Sequence, residues 1–316
     1  MRKLFGIALM FAIVGTFFAG CAKKTNQSGP QKVIGVTLLT RAHLFYRDLE
    51  DGLRKQAAKD NYQLIVTSAD FDLGKQISQV EDFISRKVDA IIVCPVDSKG
   101  VGEAIKEANQ ANIPVFTADI AAEEGNVVSH VASDNIAGGR LAAETLIKFL
   151  NGRGEVAIID QPAITSVLDR VQGFKDATAK APGIKIVADV NGQGVRDKSM
   201  QATADVLQAH PHLNGIFGIN DDSALGALDA VQQFNRKGIA IVGYDATPPA
   251  VNAIVNSTAL KADVIQHPHE IGVETINVIS DYFAGKQVPK KIPIAVGLVD
   301  RATLLAKKSA DSSQGS

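Results

Sequence analysis

The chain has 316 residues, with 33 basic side chains against 34 acidic ones. That length allows two domains, and the near balance of charge leaves no basic stripe for nucleic acid and no acidic tail. Two cysteines, Cys21 and Cys94, are too few for a disulfide scaffold; Cys94, inside the apolar run "AIIVCPV", reads as a buried thiol that packs as a small hydrophobe.

The chain opens Met1-Arg2-Lys3 and then runs from Leu4 to Gly20 without a charge. A positive start before an apolar stretch too short for a span of roughly 20 residues reads as an export signal over residues 1–20. Ala19 and Gly20 before Cys21 resemble the lipobox of bacterial lipoproteins, with Phe18 where an aliphatic is usual. The resemblance implies cleavage before Cys21 and a diacylglycerol on its thiol; an ordinary secretion signal with an incidental cysteine is the alternative. Residues 21–32 then form a lipidated cysteine and polar linker, and residues 307–316 a disordered tail. The expected location is outside the cytoplasm: periplasmic and lipid-anchored, or on the cell surface of a host with one membrane.

Between these ends, short β-branched runs alternate with amphipathic stretches. "KVIGVTLL", "YQLIVTS", "DAIIVCPV", "IPVFTAD" and "NVVSHVAS" are the first five strand-like runs. "EVAIID", "IKIVADV", "GIFGIN", "AIVGYD" and "KADVIQ" follow after the pattern restarts near Glu155. Apolar runs without alternation suit strands buried on both faces, so the sheets are parallel and covered by helices. Phe45, Leu49, Leu53 and Ala57 mark the first helix by their spacing. The fold class is α/β, with two doubly wound lobes of similar build.

In such sheets a ligand sits beyond the carboxyl ends of the strands. The residues there are Leu39 to Tyr46, Asp97, Asp119, Asp134-Asn135, Gln161 to Arg170, Asn220-Asp221, Tyr244-Asp245 and Gln266. Asp97, Asp134 and Asp222 are expected as helix caps. Taken together, the set suits a carbohydrate: carboxylates accept from hydroxyls, guanidinium donates in a planar fork, amides do both, and rings cover C–H faces. Phe45 and Tyr46 could lie over the ligand; core packing is the other reading, chiefly for Phe45.

"IPVFTAD", "VASDN" with Gly138-Gly139, "DRVQGF", "INDDSALGAL", "IVGYDATP" and "VIQHPHEIG", in this order along the chain, resemble the ribose-type periplasmic sugar-binding proteins, the solute receptors of ABC transporters. The resemblance runs from about Val33 to Val299. It implies a three-stranded hinge with crossings near Ser133, Gln266 and Pro293, and a ligand in the cleft. One lobe would comprise residues 33–133 plus 267–293, the other 134–266 plus 294–306. It also implies the contacts: His43, Phe45, Tyr46 and Asp119 from the first lobe, Arg170, Asn220, Tyr244 as an aromatic wall and Asp245 from the second, and Gln266 at the hinge.

Two positions depart from that pattern. An arginine expected after the first-lobe carboxylate is Ile120, unless Arg41 reaches in, and an expected aromatic is Gly194. The ligand is therefore expected to be other than ribose: a hexose, a deoxy sugar, a cyclic polyol or a small glycoside. The expected partners are that sugar or polyol and an ABC-transporter permease, with a monomeric receptor. The alternatives are a sensor docking on a chemoreceptor or kinase and, less so, a glycoside-acting enzyme using Asp119 and Asp245. No phosphate-cradling loop, nucleophile elbow or strong zinc signature is present, so neither cofactor, metal nor catalysis is expected. "AHPH" at 209–212 and "QHPH" at 266–269 read as histidines at helix ends.

Overall fold

A computed structural model describes residues 31–314. Residues 1–20 and Cys21 lie outside the described residues, as does almost all of the linker. The chain first builds β1 (Val33–Leu38), α1 (Leu44–Lys59), β2 (Gln63–Ser68), α2 (Leu73–Ser85), β3 (Ala90–Val93), α3 (Gly102–Gln110), β4 (Val115–Ala118) and β5 (Val127–Ser133). It then forms α4 (Asn135–Phe149), β6 (Gly154–Asp160), α5 (Thr165–Thr178), β7 (Ile184–Asn191), α6 (Arg196–Ala209), β8 (Leu213–Gly218), α7 (Asp221–Gln233), β9 (Ala240–Asp245), α8 (Pro248–Val255) and β10 (Leu260–Ile265). Last come α9 (Pro268–Phe283), β11 (Lys291–Ile294), β12 (Gly297–Asp300) and α10 (Arg301–Gln314).

These strands make two six-stranded sheets, ordered β11-β5-β4-β3-β1-β2 and β12-β10-β9-β8-β6-β7. The chain passes between the sheets three times: after β5, after β10 and between β11 and β12. Helix α4 packs on α5, β9 and β10 of the second sheet, whereas α9 returns to pack on α1, β4 and β5 of the first. The central strands β3 and β4 are buried at every residue, which is why their sequences are apolar without alternation.

Three features differ from the sequence expectations. Strands β11 and β12 were not anticipated, and β12 pairs antiparallel with β10, so the second sheet is mixed at its edge. The chain also stays helical through Gln314, over the stretch expected as a disordered tail. A reciprocal cap accounts for this helix start: Thr303 N donates to Asp300 Oδ1 at 2.8 Å and Asp300 N to Thr303 Oγ1 at 2.9 Å. No helix among the described residues is long and apolar enough to cross a membrane.

Candidate functional site

The carboxyl ends of the two sheets face one cavity. His43, Phe45, Tyr46, Asp119, Arg170, Asn220, Asp245 and Gln266 all line it. From the first lobe, His43 caps the start of α1 by position, and Phe45 and Tyr46 occupy its first turn. Tyr46 Oη donates to Asp119 Oδ2 at 2.6 Å, and the second oxygen of Asp119 is buried without a partner. Burial pushes the Asp119 carboxyl up, against the pull of Arg170 and the Tyr46 hydroxyl.

Asp119 and Asp245 follow β4 and end β9, and both hold positive φ, 65° and 118°. A left-handed aspartate is tolerated, but 118° is a region that side chains avoid, so Asp245 is held there by its surroundings. Gln266 Nε2 donates to Asp245 Oδ1 at 2.5 Å, while Gln266 Oε1 is buried with no partner. Burial raises the Asp245 carboxyl well above the usual range; the neighbouring Asp221 charge adds to this and Arg170 opposes it.

Arg170 is almost fully buried. Its Nε donates to Asn135 Oδ1 and its Nη1 to Ile219 O, each at 2.8 Å. The guanidinium lies 4.0 Å over the Tyr244 ring. Two glycines of α4 permit this stack: a Cβ on Gly139 would strike Arg170 O, and one on Gly138 would strike Tyr244 Oη. Tyr244 is wholly buried and does not line the cavity, so it stands beneath Arg170 and not as an aromatic wall. Sequence reasoning missed Asn135 as the residue that orients Arg170; its place at the head of α4, directly after the Asp134 cap, was the available signal.

Asn220, expected as an amide contact, lines the cavity and is also the cap of α7. Its Oδ1 accepts Ser223 N at 2.8 Å and its Nδ2 donates to Gly194 O at 3.1 Å. Asp222, expected as that cap, points across the cleft, with its Oδ2 3.4 Å from His43 Nε2. Burial lowers the His43 pKa, partly offset by the Asp222 charge. Asp134 does cap α4, accepting Ala137 N, whereas Asp97 closes a turn by accepting Lys99 N and Gly100 N. Arg41 does not enter the cleft; it forks onto Glu50 and reaches Val66 O. At Gly194, φ 64°, a Cβ would collide with Gln161 Oε1, so the Gln161 amide fills the wall that an aromatic was expected to occupy. His210 ends α6, His267 precedes α9 and His269 pairs with Asp51.

The lobes also meet at the cleft edge. Ser98 N donates to Ala163 O at 3.1 Å, Thr165 N to Ser98 Oγ at 3.0 Å, and Thr165 Oγ1 to Ala121 O at 3.0 Å. These bonds describe a closed cleft.

A family model described as a periplasmic binding protein domain matches residues 34–287. The chain is 34% identical over 300 residues to the ribose import binding protein of Escherichia coli (strain K12), an alignment covering 95% of this chain and 98% of that one. It is 31% identical over 244 residues to the xylitol-binding protein of Mycolicibacterium smegmatis, covering 76% and 70% respectively. A solved ABC transporter solute binding protein from Agrobacterium vitis, bound with alpha-D-tagatopyranose, superposes with a TM-score of 0.83 at 28% identity, covering 89% and 98%.

Proposed function

The chain belongs to the periplasmic binding protein family, and on that footing we propose that it is an extracytoplasmic receptor that captures a sugar or sugar-like polyol and hands it to an ABC transporter by closing its cleft. One observation carries this reading. Asp119 Oδ1 and Gln266 Oε1 are buried acceptors without a donor, set around a cavity that Arg170 also lines. A buried unpaired acceptor is costly, so the ligand that fits must bring several donors and at least one acceptor in a small volume. A polyhydroxylated ring or chain does this. The similar proteins named for ribose and xylitol, and the one bound to tagatopyranose, lie in that chemical class.

Asp119, Arg170, Asp245 and Gln266 are the polar contacts of this reading, with Tyr46 and Phe45 as the aromatic side and Tyr244 as support for Arg170. Ribose is not the favoured ligand, because Ile120 lines the cavity and Arg41 is held away by Glu50. The site binds without reacting: Tyr46 and Gln266 engage the two carboxyls through hydrogen bonds that orient them as acceptors. Ligand that touches both lobes stabilises the closed state, and the closed surface is what a permease reads. The lipid anchor at Cys21 would hold this receptor at a membrane.

A thermal-shift screen of pentoses, hexoses, polyols and small glycosides tests the binding claim, since a ligand selective for the folded state raises the melting point. Deleting the gene should then abolish uptake of the stabilising compound. Intact uptake with loss of a chemotactic or transcriptional response to it would favour a sensor.

A further inference from the structure

The contacts between the lobes lie next in the chain to two residues that line the cavity, Ile120 and Ile164. Thr165 Oγ1 accepts Ala121 N at 3.1 Å, donates to Ala121 O and lies 3.3 Å from Ser98 Oγ, so this hydroxyl is fully engaged. Ile120 and Ile164 are the immediate neighbours of the bonded pair, and the Ala121–Thr165 bonds bring them to the same corner. Each is 2% exposed, and both line the cavity, with Val167 on the next turn. The left-handed backbone at Asp119 explains how consecutive side chains, Asp119 and Ile120, can both face inward, where an extended strand would send them to opposite sides.

The cavity is thus divided: groups that read hydroxyls at Asp119, Arg170, Asp245 and Gln266, and an aliphatic corner at Ile120 and Ile164. We infer that the ligand, taken as a sugar or polyol under the reading above, is a deoxy compound that sets an unsubstituted methyl or methylene carbon against Ile120 and Ile164. A hydroxyl set against the Ile120 and Ile164 side chains leaves water and meets only aliphatic carbon on them, and the Thr165 hydroxyl next to Ile164 in the chain is already shared among Ala121 and Ser98. Ser166 lines the same cavity one residue on, so a single hydroxyl beside the deoxy carbon still has a partner.

Matched pairs test this by calorimetric titration: D-galactose with 6-deoxy-D-galactose, D-glucose with 6-deoxy-D-glucose, L-mannose with L-rhamnose, and D-ribose with 5-deoxy-D-ribose. In at least one pair the deoxy member should bind about ten- to a hundredfold more tightly. Ile120→Ser should reduce that preference to within about threefold, while Ile120→Val keeps it. Equal or tighter binding of the hydroxylated member in every pair that binds would overturn the inference and leave the sugar reading standing. Failure of every pair and of all other polyols to bind the folded protein would remove both. The wild-type titrations decide the matter even where a variant fails to fold.

Discussion

His43 Nε2 and Asp222 Oδ2 lie 3.4 Å apart across the cleft, one from each lobe. Asp222 is therefore a link between lobes, and the capping of α7 falls to Asn220. Asn220→Ala should lower the stability of the ligand-free protein by about 1 kcal/mol, read from denaturation midpoints. Asp222→Ala should change it by less than about 0.5 kcal/mol. A larger loss in Asp222→Ala than in Asn220→Ala would return the cap to Asp222.

A buried acid pair gives the second prediction a direction with pH. Asp221 and Asp263 lie side by side within the second lobe, and burial raises Asp221 to about 6 and Asp263 well above the usual range. The folded protein thus keeps the Asp221 proton where the unfolded chain has lost it. That contribution is complete below about pH 4, the ordinary aspartate range, and is lost as pH rises through about 6. Asp221→Asn retains an acceptor for Thr247 N, which the carboxylate now binds at 2.6 Å. The variant should flatten the fall in stability across this window and be the more stable protein at about pH 7. Parallel stability profiles for the two proteins would contradict the assignment.

The contacts at the cleft edge should hold the closed state. Thr165→Val keeps the shape of the side chain and removes the hydroxyl that bonds both Ala121 N and Ala121 O. Loss of about 1–2 kcal/mol from the closed state should weaken ligand binding about five- to thirtyfold and leave a more open free protein by small-angle scattering. Unchanged affinity together with an unchanged radius of gyration would show that these bonds do not bias closure.

The proposed membrane attachment rests on Cys21. Cys21→Ala should shift the protein from the membrane fraction to the soluble one after cell fractionation. Unchanged partition would exclude the lipid anchor.

Much of the architecture was legible because its signals are local. The runs that became β3 and β4 are apolar at each residue, which parallel, doubly covered strands require. β11 escaped because it is four residues with Pro293 inside; such a segment becomes a strand only by lying at the sheet edge beside β5. The Asp300–Thr303 cap was written in the sequence, but the polar composition of the tail outweighed it. The post-strand rule gathered the residues that now surround one cavity. It could not say which face inward or what else they hold: Tyr244 lies beneath Arg170, and Asn220 lines the cavity while also engaged by its own helix and by Gly194. The pairing of His43 with Asp222 joins residues far apart in the chain, and no local pattern reports such a contact.

Arg170 offers the sharpest test, because two of its nitrogens are fixed by Asn135 and Ile219 O and the guanidinium is stacked on Tyr244, leaving its remaining donors for the cavity. Calorimetric titration of pentoses, hexoses and polyols into the wild-type protein should find a ligand bound near the micromolar level, about −8 kcal/mol. The same ligand should bind Arg170→Ala more weakly by about 2–4 kcal/mol, roughly 30- to 1000-fold, with the folded state retained. Equal affinity in the folded Arg170→Ala protein, or no binding of any sugar or polyol to the wild type, would contradict a sugar receptor built around this cleft.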